Sequence, residues 1–139
     1  MNNLTGKYLF TLIQNYRSEM RSAINAKDLN INAMHVQCLR FIAETSDCTA
    51  NSIVQGLARD KSQISILIND MVNKGWIEKK PNAADKRSQL LMLTETGCDL
   101  IDKVRQEEAV VSKRMQQGLS EEELAAFQNI VQTMIKNLN

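Results

Sequence analysis

Apolar positions along this chain recur mainly with the period of a helix. Leu4, Tyr8, Leu9, Leu12, Ile13, Tyr16, Met20 and Ile24 fall at three- and four-residue spacing and predict one long amphipathic helix. Asn32 is a cap for a second helix with Met34, Cys38, Leu39 and Ile42 on its apolar side. Thr49 opens a short third helix holding Ile53 and Val54 and ending near Gly56. A fourth starts at Asp60, where Asp60 and Gln63 are placed to form a variant capping box. Its stripe is Ile64, Leu67, Ile68, Met71 and Val72; Gly75 supplies a left-handed stop, with Trp76 folding back on Met71. The opposite face carries Ser62, Gln63, Ser65, Ile66, Asn69 and Asn73. Except for Ile66 it is polar and without charge.

After Trp76 the period shortens. "WIEKK" and "QLLML" each suit a short strand, and "PNAADKRS" between them reads as a long turn, so a small hairpin is predicted. Thr94 then caps a fifth helix through Leu100, Ile101, Val104, Val111 and Met115. Ser120 and Glu123 form the capping box of a sixth, whose stripe is Leu124, Phe127, Ile130, Val131, Met134, Ile135 and Leu138. The fold class is therefore mainly α with a small β-hairpin wing. Residues 32–97 form a winged helix-turn-helix lobe, flanked by helices in 1–31 and 98–139.

Composition narrows the function classes. A chain of 139 residues with 43% apolar and 24% charged positions suits one ordinary globular domain. No apolar run exceeds four residues, so neither a membrane span nor a secretory core is expected, and a cytoplasmic location follows as the default. Cys38, Cys48 and Cys98 are odd in number and widely spaced, and His35 is the sole histidine, so no metal or cofactor is expected. No acid–base–nucleophile cluster or glycine-rich phosphate loop can be read, so an enzyme is not expected. Net charge is only +1, but residues 59–90 hold seven basic and four acidic groups, against five and four in residues 1–58 and five and eight in residues 91–139.

That excess lies where a winged helix would meet DNA. A major groove about 12 Å wide admits an α-helix, and short polar side chains near its start reach base edges. Gln63 is the candidate adenine reader, Ser62 and Ser65 suit base or phosphate, Asn69 suits a base, and Lys61 and Lys74 suit phosphates. The hairpin would fall over the adjoining minor groove, where narrow width concentrates negative potential and attracts arginine. Arg87 is the candidate there, with Asp85 expected to steady its guanidinium, and Lys79, Lys80 and Lys86 expected on phosphates.

"DKSQISILINDMVNKGWIEKK" followed by "DKRSQLLMLTETG" resembles the recognition helix and wing of the MarR family of bacterial regulators. The specific part of the likeness is residues 57–97; the outer helices match in order and pattern. The resemblance implies a transcriptional regulator, as a repressor, that binds a near-palindromic operator in double-stranded DNA as a homodimer. The wing motif Asp-x-Arg maps onto Asp85 and Arg87. Two departures stand out: Ile66 and Asp70 occupy positions that are often basic in relatives. Ile66 suits either a thymine methyl or the core, and Asp70 suits a pairing with Lys74. The outer helices present about fifteen large apolar side chains, each worth roughly 1.5–3 kcal/mol when fully buried, which favours pairing across a two-fold axis. The resemblance further implies release by a small aromatic ligand or an oxidant. Tyr16 and His35 are the candidate ligand-pocket residues, and Cys48 and Cys98, near helix starts, are the candidate redox thiols. The rival reading is a winged helix that binds protein instead of DNA.

Overall fold

The computed structural model describes residues 3–139. Six helices and one hairpin follow in the order α1 (Leu4–Ala26), α2 (Ala33–Glu44), α3 (Ala50–Gly56), α4 (Lys61–Asn73), β1 (Ile77–Pro81), β2 (Gln89–Leu93), α5 (Glu95–Met115) and α6 (Glu121–Asn137). The strands pair antiparallel from Ile77↔Leu93 to Pro81↔Gln89. The Leu91 amide donates to the Cys48 carbonyl at 2.8 Å, which fastens the hairpin to the segment between α2 and α3.

Helix boundaries follow the caps. Asn32 Oδ1 accepts from the His35 amide and His35 Nδ1 accepts from the Asn32 amide, so a histidine completes this capping box. Thr49 with Ser52 and Ser120 with Glu123 close the same reciprocal pair. At the start of α4 the expected box is absent. Asp60 makes no cap bond to the backbone; its Oδ2 accepts instead from the Ser62 hydroxyl at 2.5 Å. Two residues apart, that hydroxyl competes directly with the backbone donors for the same carboxylate.

The other end of α4 is the junction of the lobe. Gly75 has φ +77°, its amide donates to Val72, and the Trp76 amide donates to Met71, both at 3.0 Å. These are the two bonds of a Schellman stop. The Thr94 hydroxyl donates to the Gly75 carbonyl and accepts from the Gly97 amide, so α4, the hairpin and α5 share one node. Gly97 must lack a Cβ, which would sit 2.0 Å from the Trp76 carbonyl oxygen. Gly56 has a different reason: the Phe41 ring lies where its Cβ would be.

One core lies beneath this node. Ile64, Ile68 and Met71 of α4 meet Leu39 and Ile42 of α2, Ile53 of α3, Ile77 and Leu91 of the hairpin, and Leu100, Ile101 and Val104 of α5. The outer elements are covered far less. Ile24 is the one buried residue of α1, and α6 buries none. Among the described residues no helix is long and apolar enough to cross a membrane.

Candidate nucleic-acid interface

Helix α4 turns its isoleucine stripe inward, and this fixes what faces out. Lys61, Ser62, Gln63, Ser65, Ile66 and Asn69 are all exposed. Ile66, 71% exposed, lies between Ile64 and Ile68 in sequence, both of which are buried. Of the two settings open to Ile66, the core is thereby excluded. Asp70 points to the side of the helix. Its Oδ2 accepts from His35 Nε2 at 2.8 Å and lies 3.4 Å from Lys74 Nζ. The His35 hydrogen bond, assisted by Lys74, holds the Asp70 carboxyl below its ordinary value. Because His35 Nδ1 accepts from the Asn32 amide, Nε2 carries the proton donated to Asp70. Lys74 also lies over the Trp76 ring, 5.0 Å from its centroid, so it is engaged with its own subunit instead of extended outward.

Across from α4, the hairpin tip is organised by its own polar side chains. Asn82 Oδ1 accepts from the Ala84 amide, Asn82 Nδ2 donates to Ser88 Oγ, and Asp85 Oδ1 accepts from the Arg87 amide at 2.9 Å. Asp85 was expected to steady the Arg87 guanidinium. It grips the Arg87 backbone instead, because a side chain two residues earlier forms that tight turn readily. Among the described residues the Arg87 guanidinium has no ion-pair partner. Lys79, Lys80, Asp85, Lys86 and Arg87 are all exposed; Lys80 Nζ lies 3.5 Å from Glu78 Oε1.

A cavity of about 520 Å³ opens between α1, α2 and α5, and Tyr16, Arg17, Met20, Arg40 and Glu108 are among its lining residues. Burial raises the Tyr16 phenol above its usual value; Glu108 adds to this and Arg40 opposes it. Arg40 and Glu108 form an ion pair that ties α2 to α5. Tyr16 thus lies where a pocket exists. His35 does not line it: the ring is 5% exposed and stacks edge-on against Trp76 at 5.1 Å. Sequence reading missed Arg17, Arg40 and Glu108, since nothing local marks residues that converge from separate helices.

The thiols differ from expectation too. Cys48 is buried, and burial pushes its thiol up to about 11, the opposite of the lowering that its place near a helix start suggested. Cys38 is likewise raised to about 11, by burial and then by Cys48. Cys98 is exposed. Among the described residues no group of three or more potential ligands could hold a metal ion.

Comparison with known proteins agrees with this architecture. A sequence model described as "MarR family" matches residues 29–88, which span α2 to the hairpin tip. The multiple antibiotic resistance protein MarR of Salmonella typhimurium is 24% identical over 108 residues, covering 77% of this chain and 75% of that protein. Among solved structures, a mutant MarR from E. coli complexed with operator DNA superposes with a TM-score of 0.80 at 21% identity, covering 95% of this chain and 94% of the other. BpsR of Bordetella bronchiseptica, described with a mechanism for regulation of its DNA binding by 6-hydroxynicotinic acid, gives 0.76 at 19% identity, covering 93% and 91%. With six helices, an antiparallel hairpin after α4 and these likenesses, the chain has the fold of MarR regulators, and its winged-helix lobe matches the sequence model of that family.

Proposed function

We propose that this protein is a transcriptional regulator, a repressor, that binds a near-palindromic operator as a homodimer and is released by a small-molecule effector. The observation that carries the reading is the pairing of an outward face on α4, polar and uncharged apart from Ile66 and Lys61 at its start, with a hairpin tipped by an arginine that makes no ion pair among the described residues. An adenine edge suits the paired donor and acceptor of a neutral amide, and a narrow minor groove attracts a guanidinium; the two surfaces supply one each. Lys61, Lys79, Lys80 and Lys86 flank them and suit phosphates, while Gln63 and Asn69 suit adenine. The operator-bound E. coli relative makes DNA the favoured partner over protein.

The effector belongs in the cavity beside Tyr16. With Arg40 paired to Glu108, Arg17 and Arg21 are the lining cations that suit an anionic group, and the cavity's walls run from α1 and α5 to α2 of the DNA lobe. A ligand there acts only through unequal affinity for two lobe spacings.

Genomic footprinting with the purified protein tests the proposal. The expected result is a few protected sites with inverted symmetry and affinity that falls steeply with salt. Absence of protected DNA, or binding indifferent to salt, would refute it.

A further inference from the structure

The outward face of α4 also specifies which bases it suits. Gln63, Ile66 and Asn69 follow one another at i, i+3 and i+6, so they form a single ridge along the exposed side. The two amides are the side chains whose donor and acceptor match adenine's N6 and N7. Between them stands an isoleucine that the core does not need and that water does not favour. In the major groove one apolar group is available to it, the 5-methyl of thymine, and thymine is the base that pairs with adenine. No arginine or lysine lies on this ridge to read guanine; Lys61 is at the start of the helix, and Lys74 is held by Asp70 at its end.

We infer that Ile66 is a specificity-determining residue that packs on a thymine methyl, and that the base pairs under the middle of α4 are A·T. This rests on the DNA-binding reading above and sharpens it. An isolated surface isoleucine, common on proteins, would by contrast read nothing.

The test uses full-length protein and a randomised duplex library to recover the preferred site. Each thymine of that site is then replaced singly, in symmetric pairs, by deoxyuridine, which pairs identically and lacks the methyl. Affinity is measured for wild type and for Ile66→Ala, whose fold is checked by its melting curve. One thymine per half-site is expected to matter to wild type, with a loss of about fourfold per half-site, or about fifteenfold for both. Ile66→Ala should be indifferent to that replacement. Equal responses of the two proteins at every thymine, or G·C pairs throughout the segment under α4, would overturn the inference. Recovery of no preferred sequence at all would refute DNA readout itself, and the thymine contact with it.

Discussion

Arg87 and Ala58 show how much one residue can carry in opposite senses. Arg87 makes no ion pair among the described residues, while Asp85 fixes the backbone beside it, so its charge is placed for an external partner. Arg87→Ala should weaken operator binding by about 1.5–3 kcal/mol per lobe, the range for hydrogen bonds to charged groups. The melting temperature should not change, which thermal unfolding beside a gel-shift series will check. Ala58 carries strain instead. It holds φ +50° at the end of α3, where its amide donates to Gln55 and the next amide donates to Val54. That is the position where glycine is normally required. Ala58→Gly should therefore stabilise the fold by roughly 0.5–1 kcal/mol after the extra chain entropy is counted, as measured by urea unfolding. Sequence alone pointed to Arg87 through its place in a turn. It could not mark Ala58, because alanine has no preference for a left-handed stop; the expected end of α3 near Gly56 is where the helix does end.

At the scale of elements, the junction behind α4 sets the angle between recognition helix and hairpin. Gly97→Ala would drive a methyl into the Trp76 carbonyl, a backbone atom that cannot turn aside. A loss of about 1–3 kcal/mol or more is expected in chemical denaturation, with hairpin and helix displaced together. The His35–Asp70 bond is a second brace, from α2 to α4. Because the folded state lowers the Asp70 carboxyl below its reference of 3.8, the unfolded chain binds the proton first. The brace therefore stabilises above that value and is lost as pH falls through the lower folded value. Melting followed from neutral to acid pH should show a smaller acid-dependent decline for Asp70→Asn than for wild type. An identical decline in both would mean that the bond carries no linkage. The order of these elements was legible because stripes and caps are local: Ile64 to Val72, Gly75, Thr94 and Ser120 each announce themselves. Side-chain choices were not. Asp60 and Asp85 each had two nearby donors, and spacing alone cannot say which is bound. The partner of His35 lies 35 residues away on another helix.

For the whole molecule, the decisive feature is what one chain leaves uncovered. Phe127 and Ile130 on α6 are 47% and 54% exposed, and Tyr8, Phe10 and Ile13 on α1 are similarly open. Such faces are costly in water unless a second chain covers them, and a two-fold pairing would cover both copies with the same residues. It would also set two α4 helices at the fixed separation that an inverted operator demands. Ile130→Glu tests this without confusing dimer loss with unfolding, since α6 buries none of its residues in the lone chain. The single tryptophan, Trp76, lies 7% exposed in the lobe core and reports on that core separately. Wild type should sediment as a dimer with a melting temperature that rises with concentration, whereas Ile130→Glu should sediment as a monomer. Tryptophan emission should remain that of a buried indole in both. Affinity for the full operator should collapse toward that for a half-site, because two linked binding events become one. Were the variant monomeric yet fully able to bind the operator, a single lobe would suffice for recognition, and the reason for two recognition helices would disappear. Were wild type itself monomeric, the apolar stripes of α1 and α6 would need another partner.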